Sequence, residues 1–233
     1  MSRKLRITGI IGLVVTAALL LLAGPRSVVH WPMAPFKDDV LDGMFRYQLY
    51  AIAVAFGTVL VLRTMHPASI LLLRAGDLER TATREAWLGI NGRSSWLVNG
   101  AQLLVVVSAI TATFMYTWRS GMSETLHFRS GVIHLVLLFS CTNALAEELI
   151  FRYALVAGLQ GLLPSRAIMV LSAVLFGLPH YFGHPSGIVG VVMAGVLGYV
   201  LCKATMETKG LLVGWAIHFI QDVIIFYTLL VAS

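Results

Sequence analysis

Residues 96–118 read WLVNGAQLLVVVSAITATFMYTW: a stretch of 23 residues without one charge, opened and closed by Trp96 and Trp118. At a helical rise of about 1.5 Å per residue it extends roughly 34 Å, enough to cross a hydrocarbon core of about 30 Å. Tryptophans at both ends suit the two membrane–water interfaces. The segment is predicted to be a transmembrane helix.

Working outward, six more apolar stretches come close to spanning length. They are about Ile7–Ala23, Tyr47–Leu62, Val132–Leu163, Ala167–Phe182, Ile188–Lys203 and Leu211–Val231. The first lies behind a charged start, MSRKLR. It is long for a signal peptide and has no clear small-x-small cleavage site, so it is expected to stay as a first helix. The totals agree: of 233 residues 58% are hydrophobic and 12% charged, with a mean hydropathy of +0.84. Soluble domains carry about 25% charged residues. The expected fold is therefore all-α, a polytopic transmembrane bundle of about seven membrane helices in one membrane domain. Residues 1–130 would supply N-terminal helices and an interfacial segment, and residues 131–233 a core.

The net charge of +6 suits cytoplasmic loops beside anionic lipid rather than nucleic acid, since no basic run is interleaved with aromatics. With the N-terminus inside, inner stretches hold Arg3, Lys4, Arg6, Arg63, Arg74, Arg80, Arg84, Arg93, Arg166, Lys203 and Lys209. Outer stretches hold Arg26, Lys37, Arg46, Arg119 and Arg129. Eleven against five places the N-terminus in the cytoplasm, most naturally of a cell (inner) membrane. Residues 66–95 mix Arg74, Asp77, Glu79, Arg80, Arg84 and Glu85 with leucines and Trp87. They read either as an amphipathic interfacial helix or as a solvated connection. The sixth span carries Gly190, Ala194 and Gly198 four apart, a stripe that lets helix backbones approach. Cys141 and Cys202 both sit in apolar segments and suggest neither a disulfide nor a zinc finger.

The acids carry the chemistry. Eight fall in connecting stretches: Asp38, Asp39, Asp42, Asp77, Glu79, Glu85, Glu124 and Glu207. Glu147, Glu148 and Asp222 fall inside apolar spans, with Arg152. A charge at the bilayer centre costs about 2.5–3.5 kcal/mol on insertion scales, so such groups are expected to face one another or a wet cavity. In NALAEELIFRYAL, Glu148 and Arg152 are four apart, in the favourable order for an ion pair. Glu147 points about 100° away, and Asn143 shares its face. Glu148–Arg152 thus reads as a structural pair and Glu147 as the free chemical group. Two further helices add His180, four residues after Phe176, and His218 with Asp222 on one face. His184 reads as a loop residue, and His30, His66, His127 and His134 show no partner pattern.

These strings resemble the CPBP family, which includes type II CAAX prenyl endopeptidases, bacteriocin-processing relatives and abortive-infection membrane proteins. Its motifs, Glu-Glu-x-x-x-Arg, Phe-x-x-x-His and His-x-x-x-Asn/Asp, match Glu147-Glu148-Leu-Ile-Phe-Arg152, Phe176-Gly-Leu-Pro-His180 and His218-Phe-Ile-Gln-Asp222, in order, over roughly 135–231. The resemblance implies an intramembrane endopeptidase of the glutamate type, whose motif helices enclose a conical cavity open to one side of the membrane. It would cut a membrane-associated or lipid-anchored protein or peptide. Glu147 would activate a water, His180 would help hold it, and His218 with Asp222 would stabilise the oxyanion. Many relatives have Asn at the position of Asp222, and an ionised carboxylate cannot donate to an oxyanion. Glu147, His180, His218 and Asp222 could instead hold a divalent metal such as zinc; the metal-free route is the reading taken. The alternatives are a non-catalytic scaffold or immunity protein on this fold, and a proton-coupled transporter, against which stands the lack of an inverted repeat.

Overall fold

A computed structural model describes residues 2–36, 38–120 and 130–230 of the chain, without the side chains of 119, 120 and 130. Lys37, Glu124, His127 and Arg129 lie outside these residues or their described side chains.

The first helix, α1 (Arg3–Val28), opens on a Ser2 cap whose hydroxyl accepts from the Leu5 amide. α2 (Asp39–Met65) is capped by Asp38, whose carboxylate accepts from the Val40 and Leu41 amides. Glycine-rich turns and α3 (Trp96–Ser120) follow. α4 (Ile133–Glu148) runs into a π-helical turn, Leu149–Tyr153, and on into α5 (Ala154–Leu159). α6 (Ser165–Gly177) starts after Pro164 and tightens into a 3₁₀ turn over Leu178–Phe182. α7 (Gly187–Thr208) ends on Lys209 in the left-handed region, and α8 (Leu212–Leu230) is the last element among the described residues. Among the described residues seven helices, counting α4–α5 as one, are long and apolar enough to cross a membrane. The seven expected spans are these seven, and the chain is an integral membrane protein.

Val132–Leu163 is the most enclosed of the expected spans. Ile150, Tyr153, Ala154, Leu155, Val156 and Leu159 are all fully buried, so α4–α5 is the axis around which α1, α2, α6, α7 and α8 pack. Outward-facing Leu19, Leu60, Val105, Val192 and their like are left exposed, as a lipid-facing surface requires.

The small-residue stripe does what its spacing suggests. A Cβ on Gly198 would meet Ser172 O at 3.1 Å and the Ala173 Cα at 3.2 Å, so α6 and α7 cross backbone to backbone. Ser172 Oγ, buried in that crossing, reaches Gly198 O (3.2 Å) and Phe151 O (3.3 Å). Gly190 serves a different neighbour: its Cβ would run into Pro185 O and come within 2.7 Å of His180 O.

Residues 66–95 correct one expectation, because no amphipathic helix forms there. The chain makes two short 3₁₀ turns, Pro67–Leu72 and Ala86–Leu88, and antiparallel bridges pair Thr81 with Ser95 and Glu85 with Ile90. Gly76, Gly89 and Gly92 have φ of 95°, 74° and 80°, left-handed turns that interrupt any helix. The segment is tied down by Glu207, which the sequence placed in a connection and the fold places in the last turn of α7. Its carboxylate accepts from Trp96 Nε1 (2.9 Å), the Thr83 amide (3.0 Å), the Thr83 hydroxyl and Lys203 Nζ (2.5 Å). Gly76 and Gly210 approach so closely that a Cβ on Gly210 would overlap Gly76. Cys141 and Cys202 are free thiols, the second buried.

Candidate active site: two glutamates, two histidines and a shared phenylalanine

Adjacent carboxylates on a helix point to different neighbours, and Glu147 and Glu148 do so here. Glu148 is fully buried, with Arg152 Nε 3.3 Å from its Oε1. The same oxygen accepts a 2.9 Å hydrogen bond from His218 Nδ1, across the α4–α8 interface. Because a carboxylate only accepts, Nδ1 carries the proton. Room for the other oxygen comes from Gly214, whose Cβ would stand 3.0 Å from Glu148 Oε2. The Arg152 guanidinium lies over the Phe176 ring at 3.9 Å, and beyond the ion pair with Glu148 none of its nitrogens has a hydrogen bond among the described residues. A fully buried arginine is thus held by one carboxylate and one aromatic face.

Glu147 retains 15% side-chain exposure where Glu148 retains none. Asn143 Nδ2, one turn earlier, donates to Glu147 Oε1 (3.3 Å) and to Asp222 Oδ2 (3.1 Å). His218 Nε2 lies 3.5 Å from Glu147 Oε2 and 3.7 Å from Asp222 Oδ1. His218 therefore touches all three intramembrane acids, Glu148 on one ring nitrogen and Glu147 and Asp222 on the other.

His180 comes from the 3₁₀ end of α6. Its Nδ1 is 2.7 Å from Phe176 O, a carbonyl that can only accept, so Nδ1–H donates and the neutral ring presents Nε2 as an acceptor. Phe176 packs edge-on to His218 (centroids 5.4 Å apart), tilts against His180 (4.7 Å) and meets Phe151 (5.3 Å). It is the residue on which Arg152, His180 and His218 all rest. As the first residue of Phe-x-x-x-His it was visible, but its contact with all three is a tertiary fact.

Two cavities meet at Phe176 and His180. The larger, about 560 Å³, is walled by Glu147, His180, Phe176 and Tyr47, with Arg26 also in its wall. The smaller, about 250 Å³ and strongly apolar, lies between α3, α7 and α8 and is walled by His180, His218, Asp222 and His184. His184, expected as a loop residue, is in a loop and also lines this chamber. Tyr47, from the part of the chain without motifs, is the residue that motif reading missed; a polar aromatic at the N-terminal end of an apolar stretch was its only signal.

The π-helical turn explains how the first motif sits. The Ala154 amide bonds Leu149 O, five residues back, which widens the helix directly after Glu147-Glu148. Such bulges re-aim side chains and recur at functional sites. As to a metal, no three His, Cys, Asp or Glu side chains come together as a ready ligand set among the described residues, and His218 spends Nδ1 on Glu148.

Fold and geometry define an integral membrane protein with a buried acid–histidine centre. Residues 129–224 match the model of the Rce1-like family, described as type II CAAX prenyl endopeptidase Rce1-like, and this bears out the CPBP resemblance of the three motifs. That is a family of peptidases. No curated protein and no solved structure matches the chain.

Proposed function

We propose that this chain is an intramembrane endopeptidase of the glutamate type, with Glu147 as the base that activates water. The observation that carries the reading is the division of labour between neighbouring acids. Glu148 is consumed by Arg152 and His218, while Glu147 lines a 560 Å³ cavity that His180 also lines.

The chemistry follows from these placements. A water held between Glu147 and the acceptor Nε2 of His180 gives a proton to Glu147 as its oxygen attacks a peptide carbonyl. Collapse of the tetrahedral intermediate breaks the C–N bond, and the leaving amine takes the proton from Glu147. His218 holds Glu147 and Glu148 in register, and Asp222 with Asn143 supports it from α8 and α4. Water, Glu147 and His180 supply every proton this reaction moves.

The substrate class is a membrane-associated or lipid-anchored protein or peptide, since the scissile bond must reach a cavity among spanning helices. The excess of basic residues on one set of connections supports a cytoplasmic N-terminus in a cell membrane. The test is reconstitution in liposomes with membrane-anchored peptides and mass spectrometry of the products. Cleavage by the wild type, its loss in His180→Ala, and indifference to a chelator are expected. Proton flux without cleavage would instead support a transporter, and an inert but folded wild type would support a scaffold.

A further inference from the structure

The reaction proposed above needs a hydrogen-bond donor for the oxyanion, and most candidate donors near Glu147 are already engaged. Asn143 Nδ2 is committed to Glu147 and Asp222. The Nδ1–H groups of His180 and His218 go to Phe176 O and Glu148, and the other ring nitrogen of His218 faces the carboxylates of Glu147 (3.5 Å) and Asp222 (3.7 Å). Asp222 is tied to Asn143, and both it and His218 line the smaller chamber rather than the one Glu147 faces.

Tyr47 has what is missing. It lies on α2, is partly exposed, and lines the same cavity as Glu147 and His180. Its ring is clamped by α1: a Cβ on Gly24 would come within 2.8 Å of Tyr47 Cε2 and 3.0 Å of Tyr50 Cδ1, so only glycine lets the two helices close on the ring. A phenol is a neutral O–H donor of fixed reach on a rigid arm, suited to meet charge that develops only as the reaction proceeds. We infer that Tyr47 is a catalytic residue: its hydroxyl donates to the oxyanion formed when Glu147-activated water adds to the substrate carbonyl. The carbonyl π pair moves to oxygen as the C–O bond forms, the phenol hydrogen-bonds that oxygen without losing its proton, and the pair returns as the C–N bond breaks. Sharing the wall is Arg26, a cation on the exposed last turn of α1.

The inference rests on the peptidase reading, and one experiment separates them. Wild type, Tyr47→Phe, Arg26→Gln and Glu147→Gln are compared in liposomes on one anchored peptide, with a phosphinate analogue of that peptide as a tetrahedral mimic. The expected result is a fall in kcat of about 10²-fold for Tyr47→Phe with KM within threefold, in the range for loss of one oxyanion donor. Its affinity for the phosphinate should fall by a like factor, while affinity for the uncleaved substrate does not. Phenylalanine keeps the ring in its clamp, so the melting temperature should not move. Tyr47→Phe turning over within threefold of wild type while Glu147→Gln is dead would overturn the inference and leave the peptidase reading standing. So would transfer of the loss to Arg26→Gln. A wild type inert on every peptide would overturn both.

Discussion

Glu148 and His218 are joined by a 2.9 Å hydrogen bond from one spanning helix to another, and the acceptor oxygen is also the partner of Arg152. A buried acid shared by an arginine and a histidine is architecture, and it leaves the adjacent Glu147 as the acid that faces open space.

Removing Glu148 would strand Arg152 as an uncompensated buried charge. Truncating one member of a buried pair costs about 3–5 kcal/mol. Glu148→Ala is expected to lower the thermal unfolding midpoint in detergent by many degrees, whereas Glu147→Gln, at the cavity wall, is expected to shift it little. Differential scanning fluorimetry of the two purified variants checks this.

Phe176 supports Arg152 at 3.9 Å and both histidines by ring contact. Phe176→Ala should cost about 3–5 kcal/mol as a buried aromatic truncation. Phe176→Leu, which keeps much of the volume and loses the face, should fold and yet lose most peptide turnover. Unfolding curves and a cleavage assay on the same samples distinguish the two effects.

Gly190 lies where any side chain would collide with Pro185 O and press on His180 O. Gly190→Ala is expected to displace the His180 turn and cut turnover at least tenfold in a folded protein. Gly12→Ala, where nothing stands within 4 Å, is the matched control and should leave turnover unchanged.

Glu207 gathers Thr83, Trp96 and Lys203 at the end of α7. Glu207→Ala should free the 66–95 segment, read as faster limited proteolysis between residues 76 and 93, with the spanning helices still protected.

Much of this was legible in the sequence because lipid imposes simple rules. Spans such as Trp96–Trp118 must be long and apolar, and a charge within one must find a partner. That logic found Glu148–Arg152 from spacing alone and marked Glu147 and Asp222 as buried acids, while His180 and His218 stood out by their company with those acids and by the three motifs. The rest depends on tertiary contact. The π turn after Glu148 leaves no local signature. Tyr47 enters the site because Gly24 lets α1 close on it, a relation between two helices. The 66–95 segment looked amphipathic by composition, but Gly76, Gly89 and Gly92 turn it, and the partner that holds it, Glu207, lies more than a hundred residues on.

The most direct test is the turnover of Glu147→Gln against wild type, in liposomes, on an anchored peptide that the wild type cleaves, at equal amounts of folded protein. A loss of at least about 10³-fold with an unchanged melting temperature is the result expected of the water-activating base. Turnover within tenfold of wild type would contradict the assignment of Glu147 as the base.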